Sequence, residues 1–234
     1  MNYKYNILVV EDEKNILNFI STSLKANNYN VLPASNGAEA IMYVTSHCPD
    51  VIILDLGLPD IDGINIIKQV REWSQMPFIV VSARSDEQEK VKVLDAGADD
   101  YITKPFGTSE LLARIRTAIR HLKNNISNNN SHENKFVVGN LTIDHNKRRV
   151  YVDNVDAMLT NTEYKLLSLL SKYAGNVLTY EFIIKNIWGP HADDNNQILR
   201  VNMANIRRKI EENPADPKYV FTEIGVGYRM AENE

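Results

Sequence analysis

Apolar residues in the first half of the chain alternate between two rhythms. Short unbroken runs at Ile7-Leu8-Val9-Val10, Asn30-Val31-Leu32, Val51-Ile52-Ile53-Leu54, Phe78-Ile79-Val80-Val81 and Asp100-Tyr101-Ile102 predict strands. The stretches between them are each long enough for one helix. Ile16, Ile20 and Leu24 share one helical face, as do Leu111, Ile115, Ile119 and Leu122. A strand that is apolar at consecutive positions is buried on both sides, which requires a parallel sheet covered by helices on each face. The expected fold of this half is α/β, a (βα)5 doubly wound domain.

Further on the rhythm changes. Phe136-Val137-Val138, Leu141-Thr142-Ile143 and Arg149-Val150-Tyr151-Val152, with a turn at Asp153-Asn154, predict a small antiparallel sheet. Three helical patterns follow. Thr160 stands three residues ahead of Glu163, a capping-box start for a helix carrying Tyr164, Leu166, Leu167 and Leu170. Thr179 can cap a shorter helix that ends by Gly189-Pro190, and a third runs from about Asn195 to Glu212. A last hairpin pairs Tyr219-Val220-Phe221-Thr222 with Val226-Gly227-Tyr228-Arg229, with Gly225 available for its turn. Three helices and a terminal hairpin outline a winged helix-turn-helix domain.

Between the two rhythms lies 124–134, eleven residues with Ile126 as the one apolar side chain, too polar to order itself by burial. The expected division is therefore 1–123, a flexible linker at 124–134, and 135–234. Charge changes this picture little: 13 basic and 16 acidic residues precede position 124, and 13 and 14 follow, so net charge announces no nucleic-acid partner. Cys48 alone can form neither an internal disulfide nor a cysteine metal cluster, and His47, His121, His132, His145 and His191 lack metal-ligand spacing. No apolar run approaches the roughly 18 residues of a membrane span, and no secretory segment opens the chain. The expected location is the cytoplasm, without membrane insertion.

In a doubly wound sheet, ligands collect beyond the carboxyl ends of the strands. Glu11 and Asp12 follow the first strand and Asp55 the third, while Ser82 and Lys104 end the fourth and fifth. Three carboxylates there repel one another unless a cation joins them, and an oxygen-only cluster suits Mg²⁺. Three acids, a hydroxyl and an ammonium on one rim are the parts that phosphoryl transfer to a carboxylate requires. A flavin site on the same fold is disfavoured, because these carboxylates would repel its phosphate. A metal-dependent phosphatase acting on small substrates through Asp55 is a second alternative, for which no enclosing lid is legible.

The runs Val10-Glu11-Asp12, Leu54-Asp55-Leu56-Gly57-Leu58-Pro59, Ser82-Ala83-Arg84 and Gly97-Ala98-Asp99-Asp100-Tyr101-Ile102-Thr103-Lys104-Pro105-Phe106 resemble the CheY-like receiver domain of two-component response regulators. The resemblance implies a phosphoprotein rather than an enzyme, with Asp55 as phospho-acceptor and a sensor histidine kinase as partner. It implies Mg²⁺ held by Glu11, Asp12, Asp55 and the Gly57 carbonyl, with Lys104 at the phosphoryl group. Ser82 and Tyr101 become the switch pair, and the Lys104–Pro105 peptide is expected to be cis.

On the third helix of the second half, Leu199, Met203, Ile206 and Ile210 make one apolar stripe, and Gln197, Arg200, Val201, Ala204, Asn205 and Arg208 lie opposite. From Asn195 to Ile210 there are four cations, Arg200, Arg207, Arg208 and Lys209, and no acid. Such a face suits the major groove of double-stranded DNA, where Arg pairs with guanine and Asn or Gln with adenine. The runs Leu159-Thr160-Asn161-Thr162-Glu163-Tyr164-Lys165-Leu166-Leu167, Ile187-Trp188-Gly189, Asn205-Ile206-Arg207-Arg208-Lys209-Ile210 and Thr222-Glu223-Ile224-Gly225-Val226-Gly227-Tyr228-Arg229 resemble the winged-helix effector of OmpR/PhoB-type regulators. The resemblance implies phosphate contacts at Trp188 and Thr222 and wing contacts at Tyr228 and Arg229. Many relatives carry Arg where this chain has Gln197, Ala204 and Asn205; here the basic position moves to Arg200. Other runs, among them Leu199-Arg200-Val201-Asn202-Met203, resemble the subgroup that regulates a high-affinity potassium-uptake operon.

Half-sites on DNA favour a two-fold dimer. The helix starting near Gly107 carries Glu110, Arg114 and Arg120, near Lys90, Asp99 and Asp100, and the resemblance implies a homodimer through these charges on phosphorylation. His121 departs from the Arg usual there, with Arg120 as its substitute. RNA polymerase is a further expected partner.

Overall fold

The computed structural model of the chain describes residues 4–127, 135–190 and 196–232. They form two compact units, one reaching Asn125 and one beginning at Ile126. In the first, β1 (Asn6–Val10), β2 (Asn30–Ala34), β3 (Val51–Leu54), β4 (Phe78–Ser82) and β5 (Asp100–Thr103) alternate with α1 (Lys14–Ala26), α2 (Gly37–His47), α3 (Gly63–Arg71), α4 (Glu87–Asp95) and α5 (Thr108–Ser127). The strands are parallel in the order β2-β1-β3-β4-β5. Strand geometry deals each apolar run alternately to two cores. Leu8, Val10, Ile52, Leu54, Phe78 and Val80 pack with Ala40, Val44, Ile66, Val70 and Val93 of α2, α3 and α4. Ile7, Val9, Val51, Ile53, Ile79 and Val81 pack with Ile20, Leu24, Leu111, Ile115 and Ile119 of α1 and α5. The strand order reverses between β1 and β3, so their carboxyl ends flank the crevice where this fold binds ligands.

Helix α5 is longer than the pattern predicts. It runs through Ser127, four residues into the expected linker, whose remaining positions 128–134 lie outside the described residues. Propagating a nucleated helix costs little, so a polar run too weak to start one is carried along.

The second unit opens with an antiparallel sheet of β6 (Lys135–Val138), β7 (Leu141–Asp144), β8 (Arg149–Val152) and β9 (Val155–Asp156). Asp153 and Asn154 turn β8 into β9 at φ of 50° and 65°, the left-handed pair that a tight hairpin needs. Three helices follow: α6 (Asn161–Lys172), α7 (Tyr180–Trp188) and α8 (Gln197–Ile210). The capping box of Thr160 and Glu163 forms, and Thr179 Oγ1 accepts the Phe182 N–H at 3.1 Å. Asn195, the expected start of the third helix, lies outside the described residues, as do His132 and His191.

One strand was not predicted. β10 (Val177–Thr179) joins β11 (Val220–Glu223) and β12 (Gly227–Met230) in a sheet ordered β10-β12-β11. Three residues are too few to show alternation, and the pairing depends on Gly227. A Cβ there would lie 1.8 Å from the Leu178 carbonyl oxygen, so glycine alone permits the approach.

Candidate phosphoryl site and nucleic-acid interface

The rim beyond β1 and β3 gathers Glu11, Asp12 and Asp55, each offering a carboxylate oxygen within 4.8 Å of the others. Glu11 is 1% exposed and Asp55 8%, while Asp12 faces solvent. Lys104, following β5, reaches across the rim: its Nζ donates to Glu11 Oε2 at 2.8 Å and to Asp55 Oδ2 at 2.7 Å. The Gly57 N–H donates to Asp55 Oδ1 at 3.2 Å. Gly63 brings the start of α3 against the same loop, where a Cβ would lie 2.9 Å from the Asp55 carbonyl oxygen. Burial pushes the Glu11 carboxyl up to about 7, opposed by the bond from Lys104 and reinforced by the charge of Asp55. Burial would lower the Lys104 ammonium, but its bonds to Asp55 and Glu11 outweigh that and hold it above its ordinary value. Glu11 Oε1 is buried without a hydrogen-bond partner among the described residues. An orphaned, buried carboxylate oxygen beside two more acids is the donor set of a hard divalent cation.

Ser82 and Tyr101 flank this rim. Ser82 is buried, and its Oγ accepts the Arg84 N–H at 3.2 Å. The Tyr101 hydroxyl donates to the Arg84 carbonyl at 2.6 Å, and burial raises its pKa. The Lys104–Pro105 peptide is cis.

In the second unit, α8 turns Leu199, Met203, Ile206 and Ile210 into the core and exposes Gln197, Arg200, Val201, Ala204 and Arg208, with Asn205 half-buried. Arg208 donates to Asn205 Oδ1 at 3.0 Å, so cation and amide share one patch. The other two cations of the helix serve the fold. Arg207 donates to the Val220 carbonyl at 2.8 Å and to Thr222 Oγ1 at 2.7 Å, and Lys209 donates to the buried Glu163 at 2.6 Å.

Two positions expected at DNA stand elsewhere. Trp188 is 2% exposed, with its indole N–H buried and unpartnered among the described residues; its large apolar ring is spent on the core at the end of α7. Tyr228 is 4% exposed because it lies on the central strand β12, opposite Leu178 and Thr222, with its ring edge-on to Tyr180. Thr222 is exposed, and Arg229 pairs with Glu223 at 3.0 Å.

Comparison with known proteins places both units. The response regulator receiver domain family matches residues 7–116, and the transcriptional regulatory protein, C terminal family matches 154–230. The KDP operon transcriptional regulatory protein KdpE of Escherichia coli K12 is 42% identical over 225 residues, covering 96% of this chain and 98% of that protein. The chain belongs to the OmpR/PhoB-type response regulators. It is a KdpE-like member: the transcriptional regulatory protein KdpE of Staphylococcus aureus NCTC 8325 is 40% identical, with 96% of each chain covered. A CheY-like receiver domain from Methanospirillum hungatei JF-1 is 26% identical, with a TM-score of 0.51 over 53% of this chain and 99% of that one. As a response regulator the chain carries a receiver and a DNA-binding winged helix, and it functions with a kinase and DNA.

The surface of α4, β5 and α5 is charged. Arg114 donates to Asp100 Oδ1 at 3.1 Å and to Glu110 at 3.3 Å, and Lys90 stands 5.9 Å from the Tyr101 ring centre. Arg120 donates to Thr117 Oγ1 at 3.4 Å. Asp99 departs from this group: it takes Arg71 and the Phe78 N–H, both at 2.8 Å, and so ties α3 to β4. Val91 and Leu94 of α4 are 49% and 44% exposed beside Lys90. The charge pattern overlooked them because a helical apolar residue is ordinarily core.

Proposed function

We propose that Asp55 accepts a phosphoryl group from a partner sensor histidine kinase, with Mg²⁺ held by Glu11, Asp12, Asp55 and the Gly57 carbonyl. The observation that carries this is the buried, unpartnered Glu11 Oε1 beside a carboxylate already gripped by Lys104. Bound there, the cation would neutralise the incoming phosphate; as the P–N bond of the kinase's phosphohistidine breaks and the P–O bond to Asp55 forms, Lys104 exchanges part of its bond to Asp55 for one to the phosphoryl oxygens. Ser82 offers its hydroxyl to the same group, and the Tyr101 bond to Arg84 fixes the loop after β4.

Phosphorylation then favours a homodimer through Lys90, Asp100, Glu110, Arg114 and Arg120, with Val91 and Leu94 as its apolar centre. Two effector units held together bind adjacent half-sites by avidity. In each, Gln197, Arg200, Ala204, Asn205 and Arg208 face bases, while Thr222 and Arg229 steady the backbone. The name of the Escherichia coli relative points to a KDP operon as target, which the subgroup resemblance reads as potassium-uptake genes; regulation in the cytoplasm through RNA polymerase belongs to the same reading.

The test is solution mass with Mg²⁺, with and without beryllofluoride as phosphoryl mimic. A monomer-to-dimer shift is expected in the natural protein and not in Asp55→Asn; a shift in both would remove Asp55 from the role.

A further inference from the structure

The loop that leads from Asp55 to α3 carries two further acids, and each serves a different helix. Asp62 caps α3 itself, accepting the Ile64 N–H at 2.9 Å. Asp60 reaches α2 instead. Its Oδ1 accepts the Gly37 N–H at 2.8 Å and its Oδ2 the Ala38 N–H at 2.9 Å, so one exposed carboxylate takes the first two donors of that helix. These bonds hold the Asp60 carboxyl below its ordinary value, and the dipole of α2 favours the same anion.

Helix α2 already has a cap from its own chain. Asn36 Oδ1 accepts the Glu39 N–H at 2.9 Å, and the Glu39 carboxylate accepts the Ser35 N–H at 2.7 Å. Asp60 is an added tie, from the phosphoryl-site loop to the corner between β2 and α2. Ile61 reinforces it: a Cβ on Gly37 would lie 2.9 Å from the Ile61 Cβ, so loop and helix touch there. The far end of the loop is also joined to its start, where the Leu56 carbonyl accepts the Gly63 N–H at 3.4 Å. Between these anchors run Gly57, Leu58 and Pro59, of which Gly57 and Pro59 are exposed. Gly57 has no side chain to pack and the widest choice of backbone angles, so its path is set from the two ends.

We infer that Asp60 is a positioning residue for the divalent cation of the acidic rim: by tying the loop to α2 it sets the place of the Gly57 carbonyl. The inference rests on the reading of Glu11, Asp12, Asp55 and the Gly57 carbonyl as the donors of that cation. Glu11, Asp12 and Asp55 stand directly after β1 and β3, so the sheet places them. The carbonyl is the donor of this set whose place depends on a loop. Mg²⁺ demands nearly ideal octahedral donors, whereas Ca²⁺ accepts longer and irregular sets. Loosening the carbonyl therefore penalises Mg²⁺ more than Ca²⁺.

The experiment is titration calorimetry of the full-length protein with Mg²⁺ and, separately, with Ca²⁺ at constant ionic strength. Removing a group that holds a metal ligand in place costs roughly ten- to a hundredfold in affinity, and a tie made through a loop belongs at the low end. Asp60→Ala is expected to weaken Mg²⁺ binding about tenfold and Ca²⁺ binding by less than about threefold. Asp60→Asn, with one acceptor for two donors, is expected to fall between Asp60→Ala and the natural protein. Asn36→Ala removes the cap that α2 draws from its own chain without touching the loop, and is expected to bind Mg²⁺ as the natural protein does. Natural Mg²⁺ affinity in Asp60→Ala would overturn the inference. So would equal losses for the two cations, or a loss in Asn36→Ala as large as in Asp60→Ala, which would trace the effect to the stability of α2. Failure of the underlying reading looks different: Asp55→Asn would then also bind Mg²⁺ as the natural protein does, and both readings would fall together.

Discussion

At the scale of single residues, Lys104 is the counter-ion that lets two buried carboxylates coexist. Removing one partner of a buried ion cluster strands the others, at a cost of about 3 kcal/mol. Lys104→Met should therefore lower the stability of the receiver by about that amount without metal, and much less in millimolar Mg²⁺, which supplies replacement charge. Equal losses with and without Mg²⁺, read from denaturant melts, would separate Lys104 from the metal site. His145 behaves oppositely. Burial lowers its pKa below 6.5, with Asp144 opposing, and its Nδ1 lies 3.4 Å from both the Tyr164 hydroxyl and Ser168 Oγ. The fold thus holds it neutral, while the unfolded chain protonates it near 6.5. Its contribution to stability is complete above about pH 6.5 and is lost as the pH falls toward the lower folded value. His145→Gln should flatten the acid side of the effector unit's melting profile, and an unchanged profile would show that His145 does not set it. The rim acids could be read from sequence because each stands directly after a strand. Asp99 could not, because its partner Arg71 is 28 residues away in α3 and a residue type does not declare its partner.

Elements show the same division between what is local and what is not. Capping of α6 and α7 was legible, since Thr160-to-Glu163 and Thr179-to-Phe182 are chemistry within a single turn. The role of α8's cations was not: four were counted on sequence, yet Arg207 and Lys209 point at β11 and α6 and leave Arg200 and Arg208 for the outer face. Nor was the anchor at the helix end. Glu211 is buried at 7% and accepts the N–H groups of Lys218 at 2.7 Å and of Tyr219 and Val220 at 3.0 Å, welding α8 to the start of β11. Glu211→Ala would leave three backbone donors to find water, two of them at buried residues. A loss of about 2–3 kcal/mol in effector stability is expected, with DNA affinity falling through the wing's position. A stability change under about 0.5 kcal/mol would show that the α8–β11 corner is held by packing instead.

For the whole molecule, each unit owns its core, so a ligand of one should leave the melting of the other untouched. The doubly wound core belongs to the receiver, and the acids that fit Mg²⁺ stand only on its rim among the described residues. Calorimetry of the full chain is expected to resolve two transitions. At Mg²⁺ ten times its dissociation constant, mass action adds about 1.4 kcal/mol to the receiver alone, a rise of about 5 °C for a domain of this size. Asp55→Asn should shrink that rise by removing one charged ligand, while the effector transition stays in place in both proteins. If Mg²⁺ moved both transitions together, the two units would be unfolding as one cooperative body. The Mg²⁺ effect could then not be assigned to the receiver alone. Separate transitions would assign the whole effect to the acids on the receiver's rim and leave the winged-helix unit as stable with Mg²⁺ as without it.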